Sequence, residues 1–199
     1  MKLCLYQGTF NPIHNAHLKV ANFVYEHFDF EKIIFIPAYK PPHKHNRNYD
    51  EDSAMHRLNL INLAIEPYKY FESSDIEYKR AGTSYTYLTI QELYKRFDIT
   101  GKINFIIGTD AFQHIESWYE ADKLKELIDF ILFVREDEFD EEPFKRLKIA
   151  GFNYRLAKMP YLDISSSEVR QKVKNCANID SVVPDEVAKY IHEHQLYRT

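Results

Sequence analysis

Only two cysteines occur in 199 residues. That is too few for a disulfide framework, and Cys4, in a strand-like run, and Cys176, in an expected late helix, form no C-x-x-C pair. Neither is a candidate for chemistry. No apolar run approaches the roughly 18 residues that span a bilayer, which excludes a transmembrane helix. Repeats, low-complexity tracts and Gly/Ser linkers are missing too, so the chain reads as one domain over 1–199, with a small helical part from about 165. Met1-Lys2 leads directly into Leu3-Cys4-Leu5-Tyr6, without the apolar stretch and cleavage site of a secretory signal, and the expected location is the cytoplasm. Excess positive charge is lacking as well: 26 Lys and Arg stand against 30 Asp and Glu, a formal charge of −4. Duplex nucleic acid would meet net repulsion, so any phosphate ligand must be met by a local site.

What is present is an alternation. Strand-like runs fall at 3–6, 32–36, 71–76, 103–107, 129–134 and, more weakly, 154–157. Between them lie helical stripes such as Leu18, Ala21, Tyr25 and Phe28, or Tyr87, Ile90, Tyr94 and Phe97. Ile-Ile-Phe-Ile and Phe-Ile-Leu-Phe-Val are apolar on both faces, as parallel strands covered by helices on both sides require. The expected fold is α/β, a doubly wound, mainly parallel sheet of five to six strands, Rossmann-like. Such sheets bind ligands beyond the carboxyl ends of their strands. Those ends carry Gly8 to His17, Pro37 to Arg47, Gly108-Thr109-Asp110 and Arg135.

Within the first of these loops a helix is expected to begin near Asn15, with His14 and His17 at i and i+3. Backbone N–H groups at a helix start attract anions, and two imidazoles there could donate to phosphate oxygens. Two structural histidines, or half of a zinc site, remain alternatives, although the glutamate of H-E-x-x-H is missing. Ile164-Ser165-Ser166-Ser167-Glu168-Val169-Arg170 contains a capping box with Ser165 as N-cap and Glu168 at N3, stapled by Ile164 and Val169. Capping alone accounts for Ser165 and Glu168. Three hydroxyls followed by Arg170 suit a second anion site. The Pro41-Pro42-His43-Lys44-His45-Asn46-Arg47 loop is either a solvated surface or a cationic cover, and Trp118 either packing or a stacking platform.

Gly8-Thr9-Phe10-Asn11-Pro12-Ile13-His14-Asn15-Ala16-His17 resembles the G-T-F-D-P-x-H-x-G-H signature of the nucleotidyltransferase superfamily, and Ile164 to Arg170 resembles its I-S-S-T-x-[IV]-R signature. Pro41 to Lys44, Ser84-Tyr85-Thr86, Phe105 to Asp110, Ser117-Trp118-Tyr119, and the ending Tyr190-Ile191 through Leu196-Tyr197-Arg198 are similar to segments of bacterial nicotinate-nucleotide adenylyltransferases. The resemblance covers nearly the whole chain. It departs at Gln7, where a first glycine is common, at Asn11, where aspartate is common, and at Ala16, whose methyl replaces a glycine hydrogen.

The resemblance implies transfer of AMP from ATP to nicotinate mononucleotide, with Mg²⁺ carried by ATP. It implies catalytic roles for His14, His17 and Arg170, and ATP contacts from Gly8, Thr9, Phe10, Gly108, Asp110, Arg135, Ile164, Ser165, Ser166 and Ser167. Lys44, Thr86, Trp118 and Tyr119 would hold nicotinate mononucleotide, and no resident protein-held metal is implied. Pantetheine-phosphate adenylyltransferase, which shares both signatures, and a non-catalytic nucleotide-binding regulator are the rivals. Neither nucleic acid nor membrane is an expected partner, and a homodimer is left open.

Overall fold

The computed structural model describes residues 1–42, 51–135, 139–160 and 162–198, with side chains for all of these except 51, 52 and 135. Among the described residues, six strands form one all-parallel sheet: β1 (Leu3–Gly8), β2 (Lys32–Pro37), β3 (Phe71–Ser73), β4 (Ile103–Gly108), β5 (Ile128–Arg135) and β6 (Tyr154–Met159). Their spatial order is β3-β2-β1-β4-β5-β6. The chain therefore winds outward from β1 in one direction, then returns to the middle and winds out in the other. This is the doubly wound sheet expected from the sequence, with its switch point between β1 and β4.

Nine helices accompany the strands among the described residues: α1 (Asn15–Phe28), α2 (Glu51–Ile65), α3 (Ile76–Arg80), α4 (Thr86–Arg96), α5 (Thr109–Phe112), α6 (Ala121–Leu127), α7 (Glu142–Ile149), α8 (Ser166–Lys174) and α9 (Asp185–Glu193). None is long and apolar enough to cross a membrane. Alternate strand residues feed two cores. Cys4, Tyr6, Ile33, Phe35, Ile106 and Ile131 pack with α1, α2, α8 and α9 on one face. Leu3, Leu5, Ile34, Ile36, Phe105, Ile107, Phe130 and Leu132 pack with α3 to α7 on the other. Since β-strand side chains alternate, both faces must be apolar for this, which is why the strands read as continuous hydrophobic runs.

Two boundaries differ from the sequence reading. The run at 71–76 stops as a strand at Ser73: the Ser74 N–H still bonds to the Phe35 carbonyl, but its hydroxyl accepts the Ile76 N–H at 3.3 Å and α3 begins. Serine here offers the backbone a local partner in place of the sheet. Cys176 lies just beyond α8, in a left-handed conformation (φ 55°) that ends the helix, rather than inside it. Its exposed position and the burial of Cys4 leave both thiols single.

Candidate functional site

Pairing between β1 and β4 is confined to Cys4–Asn104 and Leu5–Phe105, so the two strands part before their carboxyl ends. Gly8 and Gly108 stand at those ends. A Cβ on Gly8 would lie 3.1 Å from Cζ of Phe10, and one on Gly108 3.0 Å from Cζ of Phe133. Each glycine thus lets an aromatic ring approach more closely than a methyl group would comfortably allow.

Two cavities open on either side of this parting. The first, about 640 Å³, is lined by His14, His17, Gly108, Asp110, Ser165 and Ser166, with Ala16, Phe133, Met159 and Ile164 supplying apolar wall. The second, about 460 Å³, is lined by Gln7, Gly8, Thr9, Thr86, Trp118 and Tyr119, with Phe105 and Ser84 behind. Both volumes suit small-molecule sites.

His14 caps α1 with extended backbone (φ −147°, ψ 171°). It is buried, and its Nδ1 has no partner among the described residues. His17, one turn on, stacks against it with ring centroids 3.7 Å apart. Phe10 meets the His17 ring edge-on at 5.0 Å and Tyr6 at 5.9 Å, so aromatic packing fixes the imidazole from behind. The His14 N–H donates to Nδ1 of His17 at 3.2 Å. In the neutral ring this places the His17 proton on Nε2, which becomes a donor. Burial lowers the His14 pKa to about 4. His17 is also held well below its usual value, first by burial and then by the neighbouring His14. Two uncharged, stacked imidazoles therefore border the first cavity. The helix start itself is less open than the sequence suggests, because the Asn15 N–H is already bonded to the Val182 carbonyl at 2.9 Å.

The loop between Gly8 and His14 is anchored through its carbonyl groups. Arg57, fully buried on α2, donates to the Thr9 carbonyl at 2.9 Å and to the Ala38 carbonyl at 2.5 Å. Arg170 donates to the Asn11 carbonyl at 2.6 Å and to the Ser167 hydroxyl at 3.0 Å. Ser166 donates to the Pro12 carbonyl at 2.8 Å. The Tyr197 hydroxyl donates to Oδ1 of Asn11 at 2.7 Å. An aspartate oxygen could accept the same bond, so the Asn11 departure leaves the loop anchored as before. Ser165 caps α8, accepting the Glu168 N–H at 3.1 Å, as the capping box predicts.

Around the second cavity, Thr86 begins α4 and its N–H has no acceptor among the described residues; the same holds for the N–H of Tyr119. Trp118 packs edge-to-face on Phe105 at 6.0 Å, and Tyr119 lies against Tyr85 at 4.6 Å. Behind them Glu77 is almost fully buried. It accepts from Nε2 of Gln7 at 2.5 Å, from the Thr89 hydroxyl at 2.6 Å and from the Tyr39 N–H at 3.3 Å, with Arg80 at 3.6 Å. Oε1 of Gln7 accepts the Thr86 hydroxyl at 2.9 Å.

The structure thus brings His14, His17, Gly108, Asp110, Ile164, Ser165 and Ser166 around one cavity, and Gly8, Thr9, Thr86, Trp118 and Tyr119 around the other. Phe10 is buried beneath His17, while Arg170 and Ser167 brace the first loop. Lys44 and the side chain of Arg135 lie outside the described residues. Arg57 and Glu77 escape the sequence reading, since they resemble solvated helix charges in a one-dimensional pattern, and so does the contact of Tyr197, whose partner is 186 residues away.

A parallel sheet parted at its switch point, with a helix-start loop on one side and a ring-lined cavity on the other, defines a nucleotide-handling α/β protein. A sequence profile of the cytidylyltransferase-like family matches residues 5–172. The chain belongs to this family and, within it, to the group of proteins named nicotinate-nucleotide adenylyltransferase. It is 38% identical to a probable nicotinate-nucleotide adenylyltransferase of Staphylococcus haemolyticus, over 98% of this chain and 96% of that protein. It is 34% identical to the nicotinate-nucleotide adenylyltransferase of Bacillus subtilis, over 100% and 99%. Among solved structures, the nicotinic acid mononucleotide adenylyltransferase of Plasmodium falciparum complexed with NaAD superposes with a TM-score of 0.77 at 24% identity, covering 98% of this chain and 97% of that one. At that identity the likeness speaks for the fold.

Proposed function

We propose that this protein transfers AMP from ATP to nicotinate mononucleotide, releasing pyrophosphate and forming nicotinate adenine dinucleotide. The observation that carries the reading is the pair of cavities separated by Gly8 and Gly108, one bordered by two imidazoles and the other by Trp118 and by N–H groups without an acceptor among the described residues. The full-length relatives bearing that enzyme name support it.

The nucleophile is a phosphate oxygen of the mononucleotide, ionised at neutral pH, so no side-chain base is needed. It attacks the α-phosphorus of ATP as the bond to the bridging oxygen breaks and pyrophosphate departs in line. Catalysis then consists of positioning and of donors aimed at growing charge. His17, with its proton on Nε2, and His14 serve the ATP phosphates. Ser165 and Ser166 line that cavity, Ser167 is assigned to the phosphates through the resemblance, and Arg170 holds the loop in shape. Lys44 and Arg135 are assigned to acceptor and ATP phosphates through the resemblance. Among the described residues no three His, Cys, Asp or Glu side chains converge as a metal cage, and Asp110 is the carboxylate lining the ATP-side cavity. Mg²⁺ arriving with ATP would lie beside Asp110, be held chiefly by phosphate oxygens and neutralise their charge.

On the other side Trp118 stacks on the pyridine ring, and the Thr86 and Tyr119 N–H groups donate to the carboxylate. Incubation with ATP, Mg²⁺ and each acceptor tests the assignment. Pyrophosphate should appear with nicotinate mononucleotide and not with phosphopantetheine; the reverse would sink it.

A further inference from the structure

We propose that Gln7 is a specificity-determining positioning residue: it fixes the polarity of the Thr86 hydroxyl and thereby weakens the preference for a carboxylate over a carboxamide on the pyridine ring. This rests on the acceptor reading above.

The direction of every hydrogen bond in this buried chain follows from its ends. The Arg80 guanidinium can only donate, and both of its terminal nitrogens lie 3.1 Å from the Thr89 hydroxyl. That hydroxyl therefore accepts from Arg80 and gives its own proton to Oε1 of Glu77 at 2.6 Å. The Tyr39 N–H occupies the other Glu77 oxygen. With both carboxylate oxygens accepting, Gln7 must present its amide N–H to Glu77, which turns its carbonyl oxygen toward Thr86. An amide oxygen cannot donate. The Thr86 hydroxyl is consequently committed as a donor to Gln7, so to a ligand in the cavity that Thr86 lines it can act only as an acceptor, through its lone pairs.

Two acceptor oxygens on a carboxylate meet those lone pairs with repulsion, whereas a carboxamide can turn its NH₂ towards them. The Thr86 and Tyr119 N–H groups still favour the carboxylate, so the pocket reads the substituent with two donors for it and one acceptor against it. Glycine, common at position 7 in the resembling signature, has no side chain to impose this polarity. There the hydroxyl is free to rotate and to donate to the substrate.

The test compares kcat/KM for nicotinate and nicotinamide mononucleotides in four forms: the native protein, Gln7→Gly, Thr86→Val, and the double variant. Gln7→Gly should raise the nicotinate-to-nicotinamide ratio about fivefold, the scale of one hydrogen bond gained. Thr86→Val should raise the ratio about threefold on the native background, by removing the opposing lone pairs, and lower it on the Gln7→Gly background. A change confined to folding would shift both substrates together and leave the ratio alone. If Thr86→Val lowers the ratio with Gln7 in place, the hydroxyl already donates to the carboxylate and the proposal is wrong. A ratio that neither variant moves overturns it equally, and Thr86→Val decides alone should Gln7→Gly fail to fold. No turnover of either mononucleotide by the native protein would overturn the reaction itself, a result distinct from an active enzyme whose ratio moves the wrong way.

Discussion

At the scale of single residues, His14 and His17 carry the clearest physical signature. Their folded-state pKa values lie below that of a free imidazole, so below about pH 6.5 the unfolded chain binds protons that the folded one refuses. Stability is then lost as pH falls from about 6.5 towards about 4, the value burial gives His14. Thermal melts of the native protein and of His14→Asn should diverge across that window, the native form losing more. An anionic ligand reverses the bias: ATP phosphates beside the imidazoles raise their pKa, and binding at pH 6 should take up protons. Calorimetric titration in buffers of different ionisation enthalpy measures that uptake, and zero uptake would place the phosphates away from the histidines. His17→Ala should lower kcat by two to three powers of ten, as loss of a transition-state donor does, while the fold persists. Both histidines were legible from their spacing and loop. Their stacking was not, because ring contact depends on Phe10 and Tyr6 packing from behind, which a linear pattern does not contain.

Among the elements, α8 shows how a local motif and a long-range role coincide. Ser165 as cap was readable from S-x-x-E, and Ser165→Ala should cost about 1 kcal/mol, seen as a lower melting temperature. Ser166 and Arg170, which the sequence reading places at a second anion site, also hold the carbonyls of Pro12 and Asn11 from the same helix. Ser166→Ala and Arg170→Lys should therefore raise the KM for ATP through a loosened loop, and a melt should show little matching loss for Ser166→Ala. The strand at 71–76 was over-read for a related reason: a serine can take a backbone proton as easily as extend a strand, and only the following α3 decides which.

For the whole molecule, the doubly wound sheet was legible because its strands are apolar on both faces, and the position of the ligand crevice followed from the winding. The division into two cavities was not, since it arises where β1 and β4 stop pairing after Leu5 and Phe105, a register property. On the proposed reaction, that division separates the energetics of the two substrates. Trp118→Ala should weaken both mononucleotides by a similar factor, because stacking sees the ring and not its substituent, and should leave the KM for ATP near its native value. An ATP effect as large as the mononucleotide effect would mean that Trp118 supports both walls through Phe105.

The bond from Tyr197 to Asn11 gives the site a place in time as well as in space. All six strands and the first loop can be emerging from a ribosome while the last anchor of that loop is still unmade, for the tyrosine follows its partner by 186 residues. A bond of that span requires the whole intervening segment to be made and its ends brought together. A growing chain can thus hold the whole sheet, with Arg57, Ser166 and Arg170 already on the loop's carbonyl groups, while the Asn11 side chain still waits for Tyr197.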